Sequence, residues 1–195
     1  MKINFFILFL ITMHTSFSAY DNVEIIQLHS DRWKEYKELR IKSVIECPLA
    51  FTLLESDLSE KPDSFWRDIL NDAALQNNRW LVCAQTEGRL IGMVSAIAEN
   101  TDSALSKHVV MISNMYVLPE FREKGIATLL MQELLLLLEN IPDVSQALLW
   151  VTPTQTAAIK LYNRFEFTIC GLVPRIIKFE ERYYDMYLME RSLKQ

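Results

Sequence analysis

The order of apolar and polar positions changes its period several times along the chain, and each change marks an element. Residues 22–30 (NVEIIQLHS) form an apolar run that predicts a first strand. Over 31–46 (DRWKEYKELRIKSVIE) the spacing becomes that of one helix face, through Trp33, Tyr36, Arg40/Ile41 and Val44, and Pro48 ends it. The helical period returns over 63–76, with Phe65, Trp66, Ile69, Leu70 and Ala73 on the apolar side. RWLVCAQ and RLIGMVSAIAE then read as two strands around a Thr86-Glu87-Gly88 turn, a hairpin signal. HVVMISNMYV (108–117) is a further strand, rich in β-branched and aromatic residues. Residues 125–140 are the longest predicted helix, stopped by Pro142, and QALLWVT (146–152) is a short buried strand. TQTAAIKLYNRF (154–165) is helical with Thr154 as its expected cap, and FTICGLV and RYYDMYLME close the chain as strands.

This order predicts a mixed α/β domain over residues 21–195, with a mostly antiparallel sheet flanked by helices. Strands 108–117 and 146–152 are joined through a helix, so they should be parallel neighbours. The leucine run LLMQELLLLLE (129–139) is too crowded for a solvent-facing helix and normal for one packed on a sheet. Repeats, low-complexity tracts and inter-domain linkers are absent from the sequence.

Composition narrows the function classes. Half the residues are hydrophobic and the net charge is −5, which excludes a disordered chain and a general affinity for nucleic acid. A mildly acidic surface suits a cationic substrate. Cys47, Cys83 and Cys170 are odd in number and lack CxxC spacing, so they read as buried or free thiols; His14, His29 and His108 are scattered, against a metal cluster. Residues 1–20 begin MKINFFILFLITMHTSFSA, the layout of a secretory signal peptide with cleavage after Ser18; the alternative is a true start at Met13. The apolar run is short for a membrane span, and no stable span is expected in the mature domain.

The chemistry concentrates at one junction, where SNMYVLPEF (113–121) hands over to REKGIATLL (122–130). The first turn of a helix carries free N–H groups and a partial positive charge, so an anion there is stabilised. Gly125 lets backbone approach an oxygen, Ala127 keeps the next turn thin, and Arg122 and Lys124 add charge. The loop lacks the Gly-Lys-Ser/Thr ending of a Walker loop and the further glycines of a dinucleotide fingerprint. Many strand–turn–helix junctions bind nothing, so this pattern needs a second signal.

That signal is a resemblance. Val117-Leu118-Pro119, then Arg122, Gly125 and Ala127, resemble the acetyl-CoA motif Arg/Gln-x-x-Gly-x-Gly/Ala of the GNAT superfamily of N-acetyltransferases. Downstream, Gln155, Ala158, Leu161-Tyr162 and Glu166-Phe167 resemble the family's Asn-x-x-Ala-x-x-Leu-Tyr and Gly-Phe. Upstream, LRIKSVIECPLAFTLLESD resembles an Arg…Pro-x-Ala-Phe…Glu segment of many bacterial members. The likeness runs over roughly 23–191. Gln155 stands where asparagine is common, which puts a cofactor contact there in question. Glu166 stands where glycine is common, which implies that the turn before Phe167 needs no positive φ.

The resemblance implies that the two parallel strands splay and that the pantetheine arm of acetyl-CoA lies between them. The implied cofactor contacts are Met115, Tyr116 and Val117 on the strand, then Arg122, Glu123, Lys124, Gly125, Ile126, Ala127 and Thr128 in the cradle. Gln155 and Ala158 on the later helix complete the set. No metal is implied. Acetyl transfer would proceed by direct attack of a primary amine of a small molecule, peptide or protein, with Tyr162 protonating or hydrogen-bonding the leaving thiolate. The alternative is a non-catalytic acyl-CoA-binding module. Where many relatives carry a strand glutamate, this chain offers Ser113 and Asn114; Glu55, Glu99 and Asp185 are the remaining acids, and none is assigned as base. Glu55 is expected in the loop walling the acceptor site, and Asp185 in a structural tie of the last hairpin. Tyr183, Tyr184 and Tyr187 are candidates for the acceptor side. The cofactor favours the cytoplasm over export, and a homodimer is left open.

Overall fold

Apolar residues fall on both faces of the central strands, which requires cover on both sides. In the computed structural model, which describes residues 22–76, 78–98 and 106–194, helices supply it. The signal-like segment 1–20 and Glu99 lie outside the described residues. The elements are β1 (Val23–Ile26), α1 (Trp33–Glu46), α2 (Pro48–Phe51), α3 (Glu55–Ser59), α4 (Asp63–Ala74), β2 (Arg79–Thr86), β3 (Arg89–Ala98) and β4 (Val109–Val117). They continue with α5 (Ile126–Glu139), β5 (Gln146–Val151), α6 (Thr156–Arg164), β6 (Thr168–Phe179) and β7 (Arg182–Ser192).

The strands form one seven-stranded sheet in the order β1-β2-β3-β4-β5-β7-β6. Every pairing is antiparallel except β4 with β5, as the helical crossover between them requires. Trp80 to Ala84 of β2 and Leu90 to Ala96 of β3 are buried without alternation. The leucine run packs inside: Leu130, Leu134 and Leu138 of α5 are fully buried, each contributing about 1.5–3 kcal/mol over exposure. Among the described residues no helix is long and apolar enough to cross a membrane.

Three expectations change. Pro48 does end α1, but it also opens α2, since proline at the first helical position gives up only an amide that would have no partner. β6 runs on past Val173, through Pro174. It can do so because it is an edge strand and because a bulge lies between Val173 and Ile177. Arg175 sits in that bulge at φ 55, and its N–H donates to Asp185 Oδ1 at 2.8 Å, the hairpin tie expected of Asp185. Finally, Thr154 does not cap α6. Gln155 occupies the cap position without a side-chain bond, and Thr154 Oγ1 lies 3.1 Å from Thr152 Oγ1 instead.

Candidate active site

A cleft opens where β4 and β5 part. Their ladder covers only Val109↔Gln146 to Ile112↔Leu149, after which β4 continues to Val117 without a β5 partner. The cause is a bulge on the other side of β4. The register with β3 jumps from Met93↔Tyr116 to Ser95↔Ser113, so Asn114 and Met115 together face the single residue Val94. Asn114 adopts φ 58, a left-handed conformation that asparagine tolerates better than most residues. Its Nδ2 donates to Ser95 Oγ at 2.8 Å, and that hydroxyl lies 3.1 Å from Ser113 Oγ. This polar chain holds the kink, and the extra residue turns β4 away from β5.

Beyond the bulge, Leu118 N–H donates to the Ile91 carbonyl, so by strand alternation the amide and carbonyl of Val117 face the gap. Arg122 reaches back to that carbonyl, donating from Nε at 2.9 Å, and its guanidinium lies 5.6 Å from the Tyr116 ring centre. Its Nη2 is 3.4 Å from Glu46 Oε2, which also accepts the Tyr116 hydroxyl at 2.6 Å. Burial first, then that bond to Glu46, pushes the Tyr116 phenol up. Glu46 carries no signal in the sequence, because it lies on α1, 70 positions from Tyr116 and 76 from Arg122.

The cradle has the expected form with one shift. Gly125 is the N-cap of α5, not its first helical residue, and it adopts φ 80. Its carbonyl accepts the amides of Thr128 at 3.0 Å and Leu129 at 3.1 Å, so the amides of Ile126 and Ala127 have no helical carbonyl behind them. A Cβ built on Gly125 would meet nothing within 4 Å, which is the open approach an anion needs. Glu123 is exposed and also left-handed, at φ 60. Lys124 Nζ sits 5.3 Å from the Phe121 ring centre. Ile126 offers only its amide, for its side chain is buried in the core.

Tyr162 faces the cleft from α6, and the helix end explains why it is held there. Phe167 N–H donates to the Tyr162 carbonyl and Glu166 N–H to the Asn163 carbonyl, both at 3.1 Å, the two bonds of a Schellman motif. The rings of Tyr162 and Phe167 pack at 6.2 Å, the hydrophobic contact that accompanies it. Glu166 takes φ 63, contrary to the expectation that glutamate there implies no positive φ. The motif demands a left-handed residue, and its bonds outweigh the roughly 1–2 kcal/mol that a side chain costs in that conformation. Burial pushes the Tyr162 phenol up to about 12. Among the described residues its hydroxyl has no hydrogen-bond partner.

The bulge and Tyr162 border a cavity of about 670 Å³, whose walls include Met111 to Met115, Trp150 to Thr152, Gln155, Ala158 and Tyr162; Tyr116, Val117 and the cradle residues 122–128 are not part of its lining. Gln155 and Ala158 are thus brought to the cleft. The far wall comes from Ala50, Phe51 and Thr52 and from Ile176, Ile177, Lys178 and Met186. Glu55 instead begins α3, exposed, and is not part of the wall. Tyr183, Tyr184 and Tyr187 are absent from it as well: Tyr183 is exposed beneath Arg175, and Tyr187 packs on the core. Met186 of β7 lines the cavity in their place; alternation turns Tyr183 and Tyr187 to the opposite face, while Tyr184 shares the face of Met186 without reaching the lining. Cys83 is buried, with its thiol pushed up to about 12 by burial; Cys47 and Cys170 are free.

The model of the acetyltransferase (GNAT) family matches residues 31–167. An acetyltransferase of the GNAT family from Streptococcus pneumoniae superposes with a TM-score of 0.76 at 20% identity, covering 88% of this chain and 99% of that one. A GNAT superfamily phosphinothricin acetyltransferase from Sinorhizobium meliloti, solved in complex with acetyl-CoA, gives 0.72 at 21% identity over 88% of each chain. A ribosomal-protein-alanine N-acetyltransferase from Brucella melitensis gives 0.74 at 19% identity, over 87% of this chain and 99% of that one. Comparison with curated proteins gives no match. The structural likenesses show the fold, the family match spans well over half of the sequence, and the chain belongs to the acetyltransferase (GNAT) family.

Proposed function

We propose that the protein is an acetyl-CoA-dependent N-acetyltransferase that acetylates a primary amine by direct attack. The observation that carries this reading is a cavity that opens where β4 and β5 part and is lined by the unpartnered phenol of Tyr162, together with an anion-receptive helix start on the chain that follows β4. The amides of Ile126 and Ala127, with Arg122 beside them, would hold the diphosphate. The backbone of Met115 and Val117 and the side chains of Gln155 and Ala158 would flank the pantetheine arm. Bound there, acetyl-CoA supplies an acyl group already activated as a thioester. Solved relatives in complex with acetyl-CoA support the same choice of co-substrate, and its supply favours action in the cytoplasm.

Tyr162 would act by hydrogen bonding rather than by full proton release. Its phenol stands at about 12, against a reference thiol pKa of about 8.5, so complete transfer to a thiolate is uphill by about 5 kcal/mol. A charge-assisted hydrogen bond needs no such transfer and strengthens as the negative charge develops. The acceptor must lose a proton too, which costs an alkyl ammonium roughly 4–5 kcal/mol at neutral pH.

Thiol release from acetyl-CoA, measured against a panel of amines, tests the proposal. Amine-dependent release slowed by Tyr162→Phe is the expected result. Tight coenzyme binding with no release toward any amine would make the protein an acyl-CoA-binding module instead.

A further inference from the structure

The two halves of the cavity differ in charge, and the difference bears on what enters it. Among the described residues lining the cavity, Lys178 is the single charged side chain; apart from Thr52 the rest of the far wall is apolar, from Ala50, Phe51, Ile176, Ile177 and Met186. A second cation lies one ring behind. Arg40 is 6% exposed, and its guanidinium sits 5.1 Å from the centre of the Phe51 ring. Its neighbours are neutral: Ser43 Oγ accepts from Nη1 at 2.9 Å, and the Tyr36 phenol is the other partner. Among the described residues no carboxylate pairs with it. A buried cation without a counter-ion leaves an uncompensated positive field, and low-dielectric walls focus it.

Resting on the proposed acetyl transfer, we infer that the acceptor is a small amine that also carries an anionic group, the anion meeting Lys178 and an apolar body lying against Phe51, Ile177 and Met186. Lys178 is available for this. Its present partner, Glu181 at 2.9 Å, is 89% exposed, and an exposed pair of this kind is worth little. A ligand anion brought to the cavity wall competes with Glu181 for the same half-exposed ammonium, with the field of Arg40 added. Polycationic amines are disfavoured by the same field. The formal charge of −5 points the other way, toward a cationic partner, but net charge acts at long range and is screened within about 8–10 Å of salt water. The wall decides.

The test uses the full chain with acetyl-CoA and matched acceptors: phenylalanine against phenethylamine, methionine against 3-methylthiopropylamine, and spermidine. The expected result is a kcat/KM for the carboxylate-bearing member of each pair roughly tenfold or more above its decarboxylated partner. Lys178→Met should narrow that gap through KM, and Lys178→Glu should reverse it. Preference for spermidine or for the decarboxylated amines, or a Lys178→Glu variant with an unchanged order, overturns this inference and leaves acetyl transfer standing. Absence of thiol release with every acceptor overturns the reading beneath it, and this inference with it.

Discussion

The cradle and the cavity wall are built from different materials. The cradle at Gly125 is made of backbone: a sign of φ, two amides without acceptors and a helix start, all within one stretch of ten residues or so. The far wall of the cavity is made of side chains from α2, β6 and β7, segments far apart in the chain that only the fold brings together. Backbone geometry tolerates few substitutions, because each position does one conformational job. A side-chain wall can be repapered residue by residue without disturbing the fold, which is how one scaffold serves many acceptors. The cradle therefore says what family of co-substrate is held, and the wall says what it is delivered to.

The sharpest way to break this contrast is at Gly125. Gly125→Val puts a β-branched side chain at φ 80 and fills the open space above the helix start. Coenzyme affinity should fall by roughly 100-fold, from about 1–2 kcal/mol of left-handed strain together with the lost approach to the amides. Calorimetry with coenzyme A measures it, with circular dichroism to verify folding. An unchanged affinity in a folded variant would remove the cradle from the binding site. Next in size is Tyr162→Phe, expected to lower kcat by roughly 10- to 100-fold with little change in coenzyme affinity. Because the phenol stands at about 12, it keeps its proton throughout the neutral and mildly alkaline range. Deprotonation of Tyr162 should thus impose no fall in kcat up to about pH 10. An alkaline limb near pH 8–9 that vanishes in Tyr162→Phe would contradict the assignment.

The same contrast explains which parts were legible in the sequence. The crossover and the leucine helix are local patterns, so spacing alone predicts them; the junction at Gly125 is local too, but its reading as a cradle needed the family resemblance. The parallel pair followed from a helix placed between two strands. The bulge at Asn114 was not legible, since its cause is a register shift against β3 and not a residue type. Glu46 escaped for a related reason: it sits on α1, and its role comes from partners brought in by folding, just as Arg40, legible as part of a helix face and of a family-like segment, becomes a cation behind Phe51 only in the fold. Glu166 was misread because the departure from glycine was weighed as a change of backbone. In the structure the backbone is kept and the residue bears the strain.

Glu46 offers a smaller and oppositely signed test of the cradle. Its carboxylate stands 3.4 Å from Arg122 and competes with any anion for that guanidinium. Glu46→Gln keeps an acceptor for the Tyr116 hydroxyl and removes the competing charge. Coenzyme should bind roughly 2- to 5-fold more tightly at low salt, and the gain should shrink as ionic strength rises. A loss of affinity would mean that Glu46 aims Arg122 instead of restraining it.

The smallest effect is expected at Glu166, where the comparison is between a residue and its backbone. Glu166→Gly removes about 1–2 kcal/mol of left-handed cost from the folded state, but glycine also gives the unfolded chain more freedom, worth about 0.5–1 kcal/mol. The net gain is about 1 kcal/mol at most, a rise in Tm of about 2–4 °C for a chain of this size. The Schellman bonds of Glu166 and Phe167 run between amides and carbonyls, so they survive the change, and with them the position of Tyr162. Thermal unfolding and kcat should then part company, the first rising and the second holding. If kcat fell while the protein grew more stable, the Glu166 side chain itself would be acting on the site, and the division between a backbone-built cradle and side-chain-built chemistry would have to be redrawn at α6.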